Sequence, residues 1–341
     1  MERNKKKIEK IEFQLTTSCN MSCKFCFNGE ETSCDKLNPE IACRTIKDLV
    51  IYSNANSPYV DLKSVWITGG EPLLEKDTVL KIISTCNSLK ITSGLSTNGL
   101  LLEKYLDQLV ATGLDEVKIS LDSIDAQLFK KIRGGSLSTV LKNIKLATNT
   151  CLKTYIRITV TNENINTINP IIQLLADLNV STIELKAVLP IGRSDFELMS
   201  EHLLLAKAFN DAIKILPQNK MNPVITVMCN YLPRCKGFIV SPNIACVCSH
   251  SALYVAANGS IIPCSYFPKE SRYNIYRDSL LDAWTSSFFE NVRNSATTQC
   301  KTCENWDSCR NGCPAVLYTH SKLSSSCFDV INENIYPHQA V

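Results

Sequence analysis

Cysteine is the residue type in this chain with the clearest chemical potential, since 17 of the 341 residues are Cys. Five lie in residues 1–43, ten lie in residues 229–327, and only Cys86 and Cys151 fall between these groups. Structural disulfides are rare in a reducing cytosol, whereas thiolates there bind zinc and iron–sulfur clusters. The distribution therefore predicts two metal regions on either side of a cysteine-poor middle.

The first cysteine cluster is Cys19, Cys23 and Cys26, in the pattern Cys-x3-Cys-x2-Cys directly after a predicted strand. The C-terminal ends of parallel strands are where α/β sheets and barrels carry their active sites. Three thiolates suit a four-iron four-sulfur cluster with one open iron, and they suit structural zinc if Cys34 supplies a fourth ligand. This spacing alone leaves both kinds of site open.

Six strand–helix units are predicted to position these residues. Short β-branched runs indicate strands at 11–17, 64–68, 91–96, 116–121, 155–161 and 182–189. Apolar residues recur at helical spacing between them, Asn38-Pro39 begins one helix, Gly113 ends another, and a further helix spans 201–216. Such alternation predicts an α/β fold with a parallel sheet.

The pattern of residue types changes near residue 217, where prolines and clustered cysteines replace the strand–helix alternation. We therefore expect a basic lead-in at 1–10, an α/β unit at 11–216 and a small cysteine-rich domain at 217–341, which depends on bound metal for part of its stability. Cys34, Cys43, Cys86 and Cys151 are interpreted as small apolar residues.

Composition excludes several classes of protein. Apolar residues make up 45% of the chain and charged residues 20%, as in ordinary globular proteins, and the net charge is only +3. Disorder and a general nucleic-acid or membrane-surface partner are therefore not expected. The sequence shows neither a secretion signal nor a long apolar span, so we expect a cytoplasmic protein.

Four further motifs follow successive predicted strands. They are Gly69-Gly70-Glu71-Pro72, Ser96-Thr97-Asn98-Gly99, Ser120-Leu121-Asp122-Ser123 and Lys131-Ile132-Arg133-Gly134-Gly135. With the first cysteine cluster and the aromatic Phe25 before its last member, their joint order resembles the radical S-adenosylmethionine superfamily over residues 10–195. That resemblance implies a partial (β/α)6 barrel with a four-iron cluster at its mouth.

The resemblance also implies the cofactor S-adenosylmethionine, bound through its amino and carboxylate groups to the open iron and cleaved by one electron to a 5′-deoxyadenosyl radical. Gly69 and Gly70 would admit its methionine part, and Glu71 would accept from its ammonium group. Polar partners for its ribose or carboxylate are Ser96, Thr97, Asn98 and Ser120. Arg133 is interpreted either as a carboxylate partner or as a surface arginine.

The second cysteine region begins with Cys-x12-Gly-x4-Cys from Cys246 to Cys264, continues with Cys-x2-Cys-x5-Cys-x3-Cys from Cys300 to Cys313, and ends with Cys327. This pattern is similar to the SPASM domain, whose seven cysteines bind two auxiliary four-iron clusters in related enzymes. The resemblance implies three 4Fe-4S clusters in all. It assigns Cys246, Cys264 and Cys313 to the first auxiliary cluster, and Cys300, Cys303, Cys309 and Cys327 to the second. Two fully ligated clusters need eight thiolates, so Cys248 or Cys235 is the candidate for the eighth. A zinc ribbon is the alternative interpretation.

For function, the resemblance implies hydrogen abstraction, with modification of a peptide or protein expected first and radical chemistry on a sugar or nucleoside second. A non-catalytic iron–sulfur or zinc protein is a third interpretation. Partners are expected to be the substrate and an electron donor such as flavodoxin or ferredoxin. Only ten residues precede the first predicted strand, so we expect no leader-peptide-binding domain; the barrel or a separate protein would recognise a peptide.

Particular residues bear on which reaction the chain catalyses and which of its residues take part. Ser265 follows Cys264 where sulfatase-maturing relatives carry Asp, which disfavours formylglycine formation. Residues 120–135 look like the GTP-cyclising branch, but the Gly-Gly tail of that branch is missing, and nucleotide cyclisation is not assigned. Cys229 and Cys235 are candidate hydrogen-atom donors. Tyr266 and Phe267 are candidates for lining a substrate cavity or for packing.

Overall fold

One nine-stranded sheet organises the computed structural model, which describes residues 6–29, 33–215, 223–228, 246–294, 302 and 312–320. The strands are β1 (Ile8–Gln14), β2 (Val60–Thr68), β3 (Thr92–Thr97), β4 (Glu116–Ser120), β5 (Lys153–Val160), β6 (Thr182–Ala187), β7 (Val224–Met228), β8 (Ala252–Val255) and β9 (Ile261–Ile262). Their order is β7-β6-β5-β4-β3-β2-β1-β8-β9.

Strands β1 to β8 are parallel to their neighbours, and β9 pairs antiparallel with β8. The parallel α/β fold predicted from the sequence is confirmed by this order. The sheet is wider than the six predicted strands, because β7 extends one edge and β8 extends the other by pairing with β1. Strands from both sides of residue 217 thus share one sheet, and the proposed division into domains stays a prediction.

Helices connect each strand from β1 to β6 to the next parallel strand of the sheet. The described helices are α1 (Pro39–Asn54), α2 (Lys76–Ser88), α3 (Leu102–Thr112), α4 (Ala126–Arg133), α5 (Leu137–Thr148), α6 (Ile168–Asp177), α7 (His202–Ile215), α8 (Leu280–Thr285), α9 (Ser287–Asn294) and α10 (Pro314–Thr319). No helix in the described part of the chain is long and apolar enough to cross a membrane.

Local chemistry explains two of these boundaries. The Asn38 side chain accepts hydrogen bonds from the backbone N–H groups of Glu40 and Ile41, at 2.8 and 3.4 Å, and so begins α1. Gly113 ends α3 in the left-handed conformation, with φ +93°, where a Cβ atom is disfavoured. Both boundaries agree with the sequence prediction.

The two faces of the sheet differ in polarity. One face carries fully buried aliphatic residues, including Ile67, Leu95 and Ile119, which belong to the core beneath the helices. Because side chains alternate along a strand, their neighbours Ser96 and Lys118 point to the opposite face. That second face is polar, and the candidate site lies on it.

Candidate active site

A cavity of about 350 Å³ opens where β2 to β6 end. Five successive strands each contribute a lining residue at or near the C-terminal end, namely Thr68, Ser96, Ser120, Thr159 and Ala187. All three thiols of the first cysteine cluster line the same cavity. Its volume lies within the range of about 300–1,000 Å³ that is typical of small-molecule sites.

The cysteine loop, residues 15–29, is held against this opening from two sides. Lys24 N donates to the carbonyl of Ile132 in the last turn of α4 at 2.9 Å, and Arg193 N donates to the carbonyl of Cys26 at 2.9 Å. These contacts join the loop to segments that follow β4 and β6. The tertiary structure therefore orients the three thiols toward the cavity.

Nitrogen donors surround two of the thiols. Met21 N lies 3.4 Å from the Sγ of Cys19, and Asn98 Nδ2 lies 3.9 Å from it. Arg133 Nη1 lies 3.7 Å from the Sγ of Cys23. Burial raises the pKa of the Cys23 thiol, and the nearby guanidinium opposes that effect. N–H groups directed at sulfur stabilise thiolates and tune iron–sulfur clusters, so this donor set fits a thiolate-bound cluster.

Gly69 and Gly70 form the wall beside the cysteine loop. Gly70 N donates to Thr16 O at 2.7 Å, and Glu71 N donates to Ser18 O at 2.8 Å. A Cβ atom on Gly70 would lie only 2.2 Å from Ser18 O. Glycine is thus required here because two backbone segments touch, in addition to the approach of a ligand that the sequence analysis expected.

The Glu71 side chain points away from the cavity, into the protein. It is fully buried, and its Oε1 accepts from Thr97 Oγ1 at 2.7 Å and from Leu73 N at 3.1 Å. Its Oε2 accepts from Asn98 N at 2.8 Å. This placement differs from the expected contact with a ligand ammonium group, because the protein's own donors occupy both oxygens. Glu71 instead holds the turn at Thr97 and Asn98 in place.

Burial raises the pKa of Glu71 to about 7 from an ordinary value of 4.5, despite the three hydrogen bonds. Between these values the unfolded chain binds fewer protons than the folded one, so stability falls as pH rises. The wild type should lose about 3 kcal/mol of unfolding free energy from pH 5 to pH 8 relative to Glu71→Gln. Anaerobic urea unfolding measures this difference, with exposed Glu103→Gln as the control. Parallel profiles for wild type and Glu71→Gln would contradict it.

Arg133 is buried rather than exposed, so the surface-arginine interpretation is wrong. Its Nε donates to Asp122 in a buried ion pair, and its guanidinium lies 5.5 Å from the ring centroid of Phe25. The Asp122 backbone carbonyl in turn accepts from Asn164 Nδ2 at 2.9 Å. Arg133 lines the cavity beside Cys23, fixed in place by Asp122.

Charged residues that the sequence analysis did not select continue the site along the second face. Glu184 accepts from Arg157 and from Lys118, each at 2.9 Å. Burial opposes ionisation of Glu184, but these two cations outweigh it and hold its pKa at about 2. Arg157 lines both the cavity and a smaller recess next to it, and Tyr266 does so too. The alternation of charged and aliphatic residues in β4, β5 and β6 is the signal that could have identified them.

A second group of thiols comes together in the C-terminal region. The Cys248 thiol is within hydrogen-bonding reach of the thiols of Cys246 and Cys264. The Cys313 thiol interacts electrostatically with the same two thiols, those of Cys246 and Cys264. Burial raises the pKa of Cys313 to about 12, partly opposed by the N–H groups at the start of α10. The structure therefore places Cys248 beside Cys246 and Cys264, two of the three cysteines assigned to the first auxiliary cluster.

The remaining cysteines divide into three sets. Cys43 and Cys86 are buried as small apolar residues should be, whereas Cys34 and Cys151 are exposed, unlike the expectation. Six candidate ligands or donors lie outside the described residues: Cys229, Cys235, Cys300, Cys303, Cys309 and Cys327. Across the described ranges, no three Cys, His, Asp or Glu side chains are arranged to hold a single metal ion.

Sequence comparison finds relatives that match part of the chain. A probable GTP 3′,8-cyclase of Sulfurisphaera tokodaii is 34% identical over 196 residues, which cover 56% of this chain and 60% of that protein. A GTP 3′,8-cyclase of Peptoclostridium acidaminophilum is 37% identical over 147 residues, covering 42% and 43%. The chain thus spans roughly half the length of these curated relatives.

Solved structures match over nearly the whole chain. Streptococcus suis SuiB bound to S-adenosylmethionine superposes with a TM-score of 0.78 at 18% identity, covering 94% of this chain and 76% of that one. Native anSMEcpe with bound AdoMet gives a TM-score of 0.67 at 15% identity, covering 96% of this chain and 99% of that one. At such identities these likenesses show the fold alone.

Two family models match the chain in the order that the motifs indicated. The model of the radical SAM superfamily matches residues 13–175, which contain the first cysteine cluster and the Gly69 to Pro72 motif. The model of the SPASM iron–sulfur cluster-binding domain matches residues 246–311. The chain belongs to the radical SAM superfamily and carries a C-terminal SPASM domain.

Proposed function

We propose that this chain is an enzyme that reductively cleaves S-adenosylmethionine and directs the resulting radical to a hydrogen atom of its substrate. The observation that carries the proposal is the convergence of three thiols, four polar strand ends and a buried arginine on one cavity. When bound there, a three-thiolate four-iron cluster with S-adenosylmethionine on its open iron supplies the electron and the 5′-deoxyadenosyl radical. The chain supplies the binding surface and the exclusion of water.

Each wall of the cavity has a role in that binding. Cys19, Cys23 and Cys26 would hold three irons, while the backbone at Gly69 and Gly70 would face the methionine part. Asn98 keeps its side chain within the site, since Nδ2 donates to Asn20 Oδ1 at 2.7 Å. Ser96, Thr97 and Ser120 line the cavity with hydroxyl groups that can bind ribose.

Anaerobic incubation of the purified protein with S-adenosylmethionine and a strong reductant tests the proposal directly. The expected products are 5′-deoxyadenosine and methionine, measured by chromatography and mass spectrometry. An iron–sulfur protein that lacks enzymatic activity, the third interpretation of the sequence, would bind iron and release neither product. Iron, sulfide and zinc analysis of the same preparation separates that case from a zinc protein.

For the substrate we propose a peptide or protein, because SPASM domains resemble the auxiliary-cluster domains of peptide-modifying enzymes. The solved structures with a similar fold include SuiB bound to precursor peptide SuiA. The SuiB chain is 18% identical to this chain. A nucleotide is the second candidate, favoured by the GTP 3′,8-cyclases that match 56% and 42% of this chain. Incubation with GTP and analysis for a product of altered mass tests the second candidate.

We further propose that the C-terminal region holds two auxiliary clusters, so that the protein binds about twelve irons in total. The first would use Cys246, Cys248, Cys264 and Cys313, whose thiols converge. Replacing these four with Ala should remove about four irons and leave about eight. Iron analysis of the folded variant measures this, with buried Cys43→Ala as the control. Full iron retention in the fourfold variant would contradict the assignment.

Hydrogen-atom return by Cys229 or Cys235 remains part of the proposal for a redox-neutral reaction, although both lie outside the described residues. In such a reaction the thiol S–H bond breaks and a substrate C–H bond forms, leaving a thiyl radical that the electron donor reduces before a solvent proton restores the thiol. Turnover in heavy water should then place deuterium in the product. Cys229→Ala and Cys235→Ala show which thiol delivers the deuterium. A product two hydrogens lighter than the substrate, formed equally by both variants, would contradict the hydrogen-donor role of these cysteines.

A further inference from the structure

Gln14, the last residue of β1, has a fully buried amide side chain. Burial of an amide costs free energy unless both its oxygen and its nitrogen form hydrogen bonds. Gln14 Oε1 accepts from Ala257 N at 3.1 Å, and Gln14 Nε2 donates to Asn28 Oδ1 at 3.2 Å. Gln14 therefore joins the turn between β8 and β9, which lies in the part matched by the SPASM model, to the end of the cysteine loop.

Asn28 continues this connection to the wall of the cavity. Asn28 and Gly69 both line the cavity, and Asn28 Nδ2 lies 3.5 Å from Gly69 O. The N–H group of Ala257 can only donate a hydrogen bond, and the carbonyl oxygen of Gly69 can only accept one. The two amides between them thus have one orientation that satisfies both ends. In that orientation the Asn28 oxygen faces Gln14, and the Asn28 NH2 group faces Gly69.

The Asn28 NH2 group can donate a further hydrogen bond. An amide nitrogen carries two N–H donors, and 3.5 Å to Gly69 O is long for a bond of this kind. Asn28 is only half-buried, so a molecule in the cavity can reach it. Gly69 and Gly70 are proposed to face the methionine part of S-adenosylmethionine. The acceptor group of that part is its carboxylate, because its ammonium group can only donate.

We infer that Asn28 donates a hydrogen bond to the carboxylate of S-adenosylmethionine, and that Gln14 is a positioning residue that holds the Asn28 NH2 group toward the cavity. The inference rests on the proposed function, since it takes the cavity as the binding site of S-adenosylmethionine. It adds two residues that the sequence motifs did not indicate. It also gives the C-terminal region a role in this site, because Ala257 N fixes the orientation of the Gln14 amide.

Equilibrium dialysis of the anaerobic holoprotein with S-adenosylmethionine, without reductant, tests the role of Asn28. Asn28→Ala should weaken binding roughly tenfold, because it removes a hydrogen bond to a charged group. Asn28→Asp should weaken binding further, roughly a hundredfold, because it places a carboxylate oxygen where the NH2 group was. Decarboxylated S-adenosylmethionine is the second probe, since it lacks only the carboxylate. Wild type and Asn28→Ala should bind this probe equally, and a tenfold difference with it would contradict the carboxylate contact.

The same measurement on Gln14 variants tests the positioning role. Gln14→Met removes both hydrogen bonds of the side chain at similar volume and should weaken binding of S-adenosylmethionine roughly fivefold to tenfold. If Gln14 acts through Asn28, the double variant Gln14→Met/Asn28→Ala should bind no more weakly than Asn28→Ala alone. A merely structural role would lower the unfolding temperature of Gln14→Met and leave its affinity at the wild-type value. Gln108→Met, at an exposed glutamine of α3, is the matched control and should change nothing.

Wild-type affinity in both Asn28 variants overturns the assignment of Asn28, and additive losses in the double variant overturn that of Gln14. Iron content and thermal unfolding check that each variant is folded. If Gln14→Met is not folded, Gln14→Glu takes its place, because it keeps the acceptor for Ala257 N and removes only the donor to Asn28. Failure of wild-type protein to bind S-adenosylmethionine counts against the proposed function, whereas intact binding in wild type and in every variant counts against this inference alone.

Discussion

Replacing Cys19, Cys23 and Cys26 together with Ala is expected to reduce 5′-deoxyadenosine formation to the background of the uncatalysed reaction. The three thiols line one cavity and have N–H donors near them, and no described side chain is placed to substitute for all three. Loss of the ligands removes both the electron entry point and the anchor for the sulfonium compound. The measurement is product formation under strong reductant, with iron counted in the same sample.

The control for this prediction is Cys34→Ala. Cys34 lines the same cavity but lies outside the Cys-x3-Cys-x2-Cys pattern, so its removal should leave most of the iron and the product. The triple variant should keep about eight irons, because the auxiliary ligands stand on other segments. Undiminished cleavage in the triple variant would end the assignment. Loss of metal in Cys34→Ala would favour the four-thiol zinc site that the sequence left open.

Gly70→Ala should cause the second large effect, a loss of about 3–5 kcal/mol of unfolding free energy together with the loss of S-adenosylmethionine binding. The added methyl group would lie 2.2 Å from Ser18 O and 2.6 Å from Thr17 O, and backbone atoms cannot rotate away as a side chain can. Relief of this overlap has to separate the two segments. That separation stretches the hydrogen bonds from Gly70 N to Thr16 O and from Glu71 N to Ser18 O, each worth about 1 kcal/mol.

Gly69→Ala is the matched control, since Gly69 is the residue next to Gly70 and a methyl group added there has more room. The nearest atom to its added methyl group is Thr16 O at 3.1 Å, so a shift of a few tenths of an ångström suffices. We expect a loss below about 1 kcal/mol and retention of ligand binding. Anaerobic chemical unfolding and equilibrium dialysis with S-adenosylmethionine measure both quantities. Equal behaviour of the two variants would show that contact with the cysteine loop does not explain Gly70.

Local sequence patterns were sufficient to predict the order of strands and helices along the α/β part of the chain. Aliphatic residues at alternating positions and the helix signals at Asn38 and Gly113 depend only on near neighbours, and the observed elements agree with them. The order of the cysteine cluster and of the glycine and serine motifs can likewise be read along the sequence, because each motif follows its own strand. Parallel strands then bring all these motifs to one edge, as their shared cavity shows.

What each residue does at that edge depended on packing that no local pattern contains. Glu71 looked like a ligand contact, yet burial and three donors turn its carboxylate inward. Arg133 looked like one member of a basic run, yet Asp122, eleven residues earlier, pairs with it in the interior. In both cases the partner lies on another element, so only the folded chain decides which way the side chain points.

The sequence by itself determined the chemistry: the thiols, their spacing and the strand ends that carry them. Only the tertiary structure decided how charge is distributed around that chemistry. Lys118, Arg157 and Glu184 belong to three different strands, and they meet because β4, β5 and β6 are adjacent and in register. Electrostatic interaction depends on distance through space and on burial, and neither can be read from separation along the chain.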